Sequence, residues 1–593
     1  MLRDAGFMKK GFTLIDVLIS VAIIVMLFGG IYLIYFSIID VINNIELRTA
    51  ATSVVESELE IIRNIDYGSI GTVGGIPSGI IAQNKAIAFD NINFSVTTTI
   101  RNIDDSFDGT LGGNPNDTAP ADYKLVEMEI GCPDCAKFVP LVYTATVSPL
   151  NLESDSNDGS IFIDIFDANV DPVAGAQIRV VNNSVSPTIN LIDATNNNGV
   201  LQLVGVPTST QAYEISVSLP GYASEQTYDS GDLGGSTPVT PHMTVAAQTV
   251  TTLSFFFDQS SIISVEAKDA VCTPIGNVPF AVAGTNKIGI NPDVLRFSTS
   301  SLTSATSAID FYDVPWDTYS FSMNDSSLDI SGTTFPLSMI VNPSSTINFD
   351  FILQAADPRS LLVTVRDNAT GGIIPGATVT LSSSTFSETK ITNRNFIGHT
   401  NWSSGAYSDK SGIEVDNPTG SFELAVNASG TYNVGEISWL ASDTVDVGGS
   451  SSSFHTLNWL PTAMPPGAGV DSARFQLASN NDNSIWNYIG PDGTSGTYYS
   501  SSGQAIHSSH SGDRYIRYKV YLETEDENTT PVINEVNLEF SGPCVPASQV
   551  LFTNLALVDD YELLVSASGY VLATSSVAVT SNWQQTEMSL IPQ

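Results

Sequence analysis

The sequence predicts a mainly β protein with one long N-terminal α-helix. Three observations predict this class. Residues 17–39 carry no charged side chain, and apolar residues continue at helical spacing after them. Beyond residue 76 the chain becomes a series of short β-rich runs separated by Gly, Ser, Asn and Thr. Part of that series recurs in the same order three times, which predicts a string of related β-sandwich domains.

Composition and charge limit the classes of function. The 593 residues include 22 basic and 62 acidic side chains, and the net charge of −40 argues against binding to nucleic acid. Only 14% of residues are charged and 42% are hydrophobic, which is typical of a folded chain. No Gly-x-Ser-x-Gly, His-Glu-x-x-His or phosphate-loop motif occurs in the sequence. We therefore expect no enzymatic activity, no catalytic residue and no cofactor.

The N-terminus carries the most specific pattern in the chain. Lys9 and Lys10 precede a Gly-Phe pair, and one carboxylate follows within the apolar segment. As a helix, residues 17–39 rise roughly 35 Å, enough for a hydrocarbon core of about 30 Å. The basic residues before the segment predict a cytoplasmic N-terminus. A secretory signal would have a small-residue cleavage site after the apolar part, and none follows.

This stretch resembles the class III leader of type IV pilins and pseudopilins. The resemblance implies a leader peptide of residues 1–11, cleavage between Gly11 and Phe12, and N-methylation of Phe12. It also implies a transmembrane helix over residues 12–39. In the family, the residue at the position of Asp16 is usually glutamate and meets the N-terminal amine of a neighbouring subunit during assembly. Asp16 keeps the charge with one methylene fewer; the alternative interpretation is a carboxylate lying near the headgroups.

The resemblance also implies partners and a compartment. The partners are prepilin peptidase, other pilin subunits and the membrane. The precursor is expected in the bacterial cytoplasmic membrane as a single-pass protein, and the mature protein at the cell surface in an extracellular fibre.

Residues 40–150 are predicted to form a pilin-like helix and β head. Residues 88–100 are predicted as one strand, and the runs at 123–131 and 141–147 as a hairpin. The hairpin turn contains Cys132 and Cys135, which are candidates for a disulfide. A zinc site would need two further ligands, so a small disulfide ring is the favoured interpretation in an exported protein.

An acidic loop lies within this head. It contains Asp104, Asp105 and Asp108, followed by Gly109. Calcium fits such a loop, although the spacing does not match an EF-hand, and a solvated turn is the other interpretation. No other metal site is predicted.

The repeated part of the chain has three copies. Each begins with a strand, an Asp and a Pro/Gly turn, and later has a strand that carries a tyrosine. The predicted domains are residues 158–258, residues 259–356, and residues 357–385 together with 545–593. The order resembles the carboxypeptidase regulatory-like domain, a prealbumin-type β-sandwich, which implies a spacer or interaction module without peptidase chemistry.

The middle copy contains a lysine and an asparagine that are candidates for a covalent crosslink. Related surface sandwiches can carry a Lys–Asn isopeptide bond, and Lys268 and Asn348 are the candidates here. The alternative is that Lys268 is exposed at a turn. Cys272 and Cys544 either join the middle and third copies or remain free thiols.

About 160 residues separate the two parts of the third copy, too many for a loop. Residues 386–544 are therefore predicted to be an inserted domain. It resembles jelly-roll or discoidin-like sandwiches, which often bind carbohydrate. Four of the six tryptophans lie in it, and each either stacks on sugar rings or fills the core: Trp402, Trp439, Trp459 and Trp486.

Together these patterns predict a minor pilin of a type IV pilus-like system. It would be inserted in the membrane before assembly and would present β-sandwich modules for adhesion, with surface glycans or a host or neighbouring cell surface as partners. The alternatives are a pseudopilin of a type II-like secretion system and a membrane-anchored carbohydrate-binding receptor that is not assembled into a fibre. An enzyme acting on surface polysaccharide comes third.

Overall fold

The computed structural model describes residues 14–135, 137–150, 156–402, 405–557 and 560–593. The chain forms two compact units. Unit 1 contains the described residues of Met1–Asp258 together with Lys287–Val294. Unit 2 contains those of Gln259–Asn286 and Leu295–Gln593. The predicted fold class is confirmed, since one long N-terminal helix is followed by paired β-sheets.

The helix, α1, spans Leu14–Arg63 and changes its environment along its length. All described side chains from Leu14 to Ile38 are exposed, although almost all of them are apolar. From Ala51 onward the helix becomes amphipathic, and Val55 and Ile62 are buried. By length and composition this helix can cross a membrane, with a mean hydropathy of 2.8 in its most apolar part.

A four-stranded antiparallel sheet packs on the second half of α1. Its strands, in spatial order, are β1 (Asn84–Phe89), β2 (Ile92–Ile103), β3 (Tyr123–Gly131) and β4 (Leu141–Val147). The predicted hairpin of β3 and β4 is confirmed. The single strand predicted over residues 88–100 is wrong, because Asp90 and Asn91 have φ values of 50° and 62° and form a two-residue turn between β1 and β2.

The first sandwich completes unit 1. Its main sheets have the orders β13-β5-β8 and β10-β9-β6-β7 and enclose a core that includes Ile163, Val180 and Tyr213. The strands are β5 (Gly159–Phe166), β6 (Gln177–Asn182), β7 (Ile189–Ala194), β8 (Val200–Val206), β9 (Ser209–Ser218), β10 (Glu225–Gln226), β11 (Thr237–Pro238), β12 (Met243–Val245) and β13 (Val250–Phe256).

The second sandwich follows with the sheet orders β19-β14-β23-β21 and β18-β15-β20-β22. Its strands are β14 (Ser261–Lys268), β15 (Pro279–Ala283), β16 (Lys287–Ile290), β17 (Val294–Leu295), β18 (Ser298–Leu302), β19 (Ala308–Val314), β20 (Asp317–Met323), β21 (Leu328–Thr333), β22 (Ser338–Val341) and β23 (Thr346–Ala355). The exceptions are β16 and β17, which form a separate sheet of order β11-β16-β17; β16 and Val294 of β17 belong to unit 1.

The third sandwich is divided by the insert. It begins with β24 (Ser360–Asp367), β25 (Thr378–Ser382) and β26 (Ser387–Ile391). The predicted boundary at residue 385 is too early, because β26 pairs with β25 and belongs to this sandwich. The insert therefore begins after Ile391. The sandwich resumes after the insert with β38 (Gln549–Phe552), β39 (Tyr561–Ser566), β40 (Ala573–Val577) and β41 (Trp583–Leu590). Its sheets have the orders β38-β24-β41 and β26-β25-β39-β40.

The insert is itself a β-sandwich of two main sheets, β27-β37-β33-β35 and β28-β31-β36-β32, with β34 also paired to β36. Its strands are β27 (Asn395–His399), β28 (Tyr407–Ser411), β29 (Ile413–Val415), β30 (Phe422–Leu424), β31 (Ser438–Ser442), β32 (Val445–Asp446), β33 (Ser453–Leu460), β34 (Ala473–Asn480), β35 (Gln504–Ala505), β36 (Tyr515–Leu522) and β37 (Glu535–Ser541).

The three sandwiches share one topology. In each, the first strand pairs parallel with the last strand, as in β5 with β13, β14 with β23 and β24 with β41. The same first strand pairs antiparallel on its other side, with β8, β19 or β38. The order that recurs in the sequence therefore corresponds to a recurring set of strand pairings.

Recurring side chains stabilise this topology. Each sandwich buries one tyrosine whose hydroxyl donates to a carbonyl four to six residues earlier, and these are Tyr213, Tyr319 and Tyr561. At the end of each first strand lies an aspartate whose Oδ1 accepts two backbone N–H groups, namely Asp167, Asp269 or Asp367. A buried threonine also recurs, and its hydroxyl bonds the Pro/Gly turn: Thr195, Thr303 and Thr392. The conserved geometry explains why these polar residues recur in the sequence.

Two disulfides are present among the described residues. Cys132 is joined to Cys135, and Cys272 to Cys544 with a sequence separation of 272. The second bond links the loop after β14 to the segment after β37, so the open alternative of two free thiols does not apply. Because a crosslink restricts the unfolded chain more when its loop is longer, the second bond contributes more to stability than the first.

We expect Cys272→Ser to lower the free energy of unfolding of unit 2 by about 2–4 kcal/mol. Urea unfolding followed by tryptophan fluorescence measures this change. Cys132→Ser is the matched control, since its bond spans only three residues. Non-reducing peptide mapping of the wild type should recover the Cys272 and Cys544 peptides linked; recovery of both as free thiols contradicts the prediction.

Candidate functional site

The predicted N-terminal site lies mostly outside the described residues. Gly11 and Phe12 are outside them altogether. Asp16 lies in the first turn of α1, but its side chain is also outside the description. The cleavage, methylation and assembly roles of these residues therefore remain predictions.

The turn after β3 is joined to the middle of α1 by contacts that the structure does describe. Lys137 forms an ion pair with Asp40 at 2.7 Å, next to the disulfide of Cys132 and Cys135. Further along the helix, the hydroxyls of Thr52 and Tyr143 lie 2.8 Å apart and share a hydrogen bond. The β-sheet of the head, with its turn, therefore contacts α1 from Asp40, where the exposed apolar part of the helix ends, toward its C-terminus.

The acidic loop of the head is largely held by its own backbone. Oδ2 of Asp104 accepts from the N–H of Leu111, and Oδ1 of Asp105 accepts from the N–H of Phe107. Partial burial, together with the nearby carboxylates of Asp117, Asp122 and Asp108, raises the pKa of Asp104. These contacts make the loop an ordered turn, and calcium binding by it remains a prediction.

A second acidic group was not expected from the sequence. Ligand atoms of Asp229, Asp232 and His242 lie within 4.8 Å of one another in the first sandwich. Nδ1 of His242 lies 2.9 Å from the hydroxyl of Thr227, and the two carboxylates accept backbone N–H groups of their own turn. Both aspartates are exposed, and such groups are common on surfaces without an ion.

The structure contradicts both interpretations of Lys268, a crosslink to Asn348 and exposure at a turn. Lys268 is neither exposed nor near Asn348: its Nζ lies 2.9 Å from Asp350 and 3.2 Å from Glu266. In the parallel pairing Lys268 stands opposite Ile352, four residues and therefore about 13 Å from Asn348 along β23. Its pKa is raised despite partial burial, because Asp350 and Glu266 stabilise the charged amine. A charged amine in an ion pair is not a nucleophile.

The four tryptophans of the insert divide into two classes. Trp402 is fully buried and Trp459 is 3% exposed, and both belong to the core of the insert. The stacking role predicted for these two is therefore corrected. Trp439 and Trp486 are only half-buried and lie on the outer side of the sheet that contains β36.

Half-buried rings and cations alternate over that surface. Along β36 the outward residues are Tyr515, Arg517, Lys519 and Tyr521, because the intervening residues are fully buried in the core. Neighbouring elements add further side chains to the same side. We call this surface the aromatic face, and define it by Arg474, Arg517 and Lys519 with Trp439, Trp486, Tyr488, Tyr498 and Tyr521.

Each cation of the aromatic face lies over a ring. The guanidinium of Arg517 is 4.5 Å from the centre of the Trp486 ring, and that of Arg474 is 5.0 Å from the Tyr498 ring. Nζ of Lys519 lies 3.7 Å from the centre of the Trp439 ring. These contacts hold the rings in fixed positions, since a cation is attracted to the negative face of an aromatic ring.

The three cations differ in how their charge is compensated. Arg474 is paired with Glu523 at 3.0 Å, and Arg517 has Asp443 at 4.0 Å. Nζ of Lys519 makes no hydrogen bond or ion pair with any residue in the described part of the chain, and its backbone pairs with β31 and β34. Burial lowers its pKa, and Asp409 opposes this only in part.

The two tryptophans of this face were predicted from the sequence, whereas its cations and tyrosines were not. A signal was available in the run from Tyr515 to Leu522, where apolar residues alternate with Tyr, Arg, Lys and Tyr. Such a period of two places the polar and aromatic residues together on the outer side of the strand. The residues from the loop between β34 and β35 have no comparable signal.

The same domain also contains a buried histidine. His510 is 2% exposed, and its Nδ1 lies 2.9 Å from the hydroxyl of Ser479, which donates to Asp513. Nδ1 therefore carries the proton and donates to Ser479, whereas Nε2 has no partner among the described residues. Burial lowers the pKa of His510 from 6.5 to about 4.

We expect acid to destabilise the insert through His510. The depressed pKa means that His510 contributes stability above about pH 6.5 and loses it as the pH falls toward 4, because only the unfolded form takes up the proton. The loss between pH 7 and pH 5 should be about 2 kcal/mol. Urea unfolding at both pH values measures it, with His510→Gln reducing the pH dependence and His507→Gln, which is less buried, as the control. An equal pH dependence in all three proteins contradicts the prediction.

Comparison with known proteins gives little further guidance. No protein-family model matches the chain, and no curated protein matches it. The solved structures to which the chain is similar at low scores include three proteins of different kinds. The Bacillus anthracis TIE protein has 11% identity and a TM-score of 0.16, over 79% of this chain and 59% of that one. The Streptococcal ancillary pilin has 11% identity and a TM-score of 0.17, over 38% and 75%.

The third is GBS52, the minor pilin of the Gram-positive pathogen Streptococcus agalactiae, with 10% identity and a TM-score of 0.17, over 33% of this chain and 96% of that one. These scores assign no family. The chain spans less than two thirds of the TIE protein, and the conclusions below rest on its own residues.

Proposed function

We propose that this protein is a minor pilin of a type IV pilus-like system that presents its β-sandwiches for adhesion. It is inserted in the membrane as a precursor, processed by prepilin peptidase, and then assembled with other pilin subunits at the cell surface. We propose no enzymatic activity for it. Its partners would be surface glycans or another cell surface.

One observation carries this proposal, the change of environment along α1. From Leu14 to Ile38 the described side chains are exposed and almost all apolar, whereas from Ala51 the same helix packs into the core of the head. Such a helix needs a bilayer around its first half. When the protein leaves the bilayer, the helices of neighbouring subunits are the other apolar surroundings available.

The remaining architecture supports a rare subunit. Three sandwiches and an insert follow the head, and such bulk would hinder placement in every turn of a fibre shaft. The net charge of −40 gives a well-solvated surface suited to the exterior of the cell.

Fibre purification followed by N-terminal sequencing tests the proposal. The protein should occur in the fibre fraction at low copy, and its first residue should be N-methylated Phe12. A mature N-terminus at Phe12 without any protein in fibres favours the secretion pseudopilin. An intact Met1 overturns the proposal and favours the anchored receptor.

A further inference from the structure

We propose that the aromatic face of the insert binds an anionic glycan, a polymer of carboxylated or sulfated pyranose rings. The inference names the partner class for the adhesion proposed above, and rests on that function for its access to an extracellular ligand. It adds a charge requirement that the tryptophans alone do not imply.

The rings of this face suit sugars. A pyranose presents an apolar surface of C–H groups, which packs well on the negative face of an aromatic ring. Trp439 lies opposite Tyr521 on the neighbouring strand β31, and the ring of Trp486 lies against the guanidinium of Arg517. Tyr498 stands edge-on to Tyr521, with ring centres 5.2 Å apart. Several ring positions are thus available to successive units of a polymer.

Hydrogen-bonding groups accompany the rings. Oε1 of Gln476 accepts from the hydroxyl of Tyr521, and its Nε2 donates to the carbonyls of Ser495 and Thr497. These bonds hold Gln476 and Tyr521 in place between the rings. The face is therefore ordered before a ligand arrives, which lowers the entropic cost of binding.

The charge requirement comes from Lys519. It lies near the rings of Trp439, Tyr521 and Tyr488, at 3.7, 5.4 and 5.8 Å from their centres. Arg474 and Arg517 have carboxylates within 4.0 Å, whereas Lys519 forms no such ion pair in the described part of the chain and is influenced by Asp409 only from a longer distance. An ammonium held among rings and partly removed from water gains from a carboxylate or sulfate placed against it.

The net charge of the protein makes this local cation significant. Most of the surface of a chain with charge −40 repels a polyanion. A polyanion that has no rings to stack on the aromatic side chains therefore binds weakly. At physiological ionic strength this repulsion is screened beyond about 8 Å, whereas a direct contact with Lys519 is not. The surface therefore favours a ligand that combines rings for stacking with a negative charge close to them. A polymer of acidic sugars has both.

Binding by the full-length protein in detergent micelles tests the inference. The probes are oligogalacturonate as the carboxylated glycan, a heparin fragment as the sulfated one, cello-oligosaccharide as the neutral glycan and polyglutamate as the acidic peptide. Calorimetry gives the affinity for each. We expect at least one anionic glycan to bind at least tenfold more tightly than the neutral glycan and polyglutamate. Whether oligogalacturonate or the heparin fragment binds more tightly identifies the preferred acidic group.

Variants locate the site. Lys519→Met keeps the aliphatic stem and should weaken anionic glycan binding at least tenfold, as should Trp439→Ala, without moving the urea midpoint of the insert appreciably. Lys287→Met is the matched control, because this exposed lysine lies in unit 1 and should not change the affinity.

Several outcomes overturn the inference. They are no binding of any glycan, equal binding of the neutral glycan, equal binding of polyglutamate, or an affinity that Lys519→Met leaves unchanged. The test is separable from that of the proposed function. If the protein in fibres begins at Phe12 but binds no glycan, the pilin proposal stands and the glycan inference is overturned. If it binds the glycan but keeps Met1, the glycan inference stands and the pilin proposal is overturned.

Discussion

Replacing Gly11 by valine is expected to leave the protein as an uncleaved precursor in the membrane. The family resemblance places the cleaved bond directly after Gly11, and a β-branched side chain there blocks the close approach that a peptidase needs. The wild type should lose residues 1–11, and the variant should keep them. Mass spectrometry of the N-terminal peptide from membrane fractions distinguishes the two forms. The expected effect is complete, from full processing to none, with loss of the protein from fibres.

The leader supplies its own matched control. Gly6 is also followed by phenylalanine, so Gly6→Val makes the same change in the same dipeptide five residues earlier. We expect that variant to be processed normally, because the implied cleavage needs Gly11 next to the apolar segment. Equal loss of processing in both variants would show that valine acts by disturbing the whole leader, and normal processing of Gly11→Val would contradict the assignment of the site.

Replacing Trp402 by alanine should destabilise the insert by about 3–5 kcal/mol. The ring is fully buried, lies edge-on to Phe422 with 4.5 Å between ring centres, and donates from Nε1 to the carbonyl of Asn534 at 3.1 Å. Alanine leaves a cavity and an unpaired carbonyl. Hydrogen exchange of the peptide that contains β36 reports on this domain alone, and its slowest amides should exchange at least a hundredfold faster.

Trp486→Ala is the control for that experiment. It removes the same side chain from the same domain, but from the half-buried aromatic face, where the ring contacts Arg517. We expect a loss of less than about 1 kcal/mol, as for a partly exposed cation–π pair. Similar losses in both variants would contradict the division of the tryptophans into core and surface residues.

Much of the fold could be predicted because the sequence patterns that mark its helix and strands each lie within a short stretch of the chain. The change along α1 follows from the end of the uncharged stretch near Asp40, and the sandwiches follow from period-two alternation and from the recurring Asp, Pro/Gly and Tyr. The turn at Asp90–Asn91 was missed although Asp and Asn favour positive φ. The true start of the insert could not be found in this way, because β26 is a polar strand whose place is decided by its pairing with β25.

The candidate site was predicted only in part. Four tryptophans marked the correct domain, but sequence has no means to say that Trp402 lies in the core and Trp439 outside it, since that depends on which sheet each strand joins. The cations of the aromatic face come from β34 and β36, which are separated by a long loop. Their placement beside the rings is a product of strand register, and register is set by the whole sheet.

The disulfide between Cys272 and Cys544 also determines how the protein carries a pulling force. If the aromatic face binds a ligand and α1 is anchored, as proposed, a pull on that ligand loads the insert at one end and α1 at the other. Along covalent bonds, the shortest route from α1 passes through β14, crosses from Cys272 to Cys544 and enters the insert through β37, bypassing a sequence separation of 272 residues. The third sandwich lies off this route and bears no tension while the bond is intact. Along the route, β14 is pulled at both of its ends, so the tension runs along its own backbone and not through its hydrogen bonds to the parallel neighbour β23.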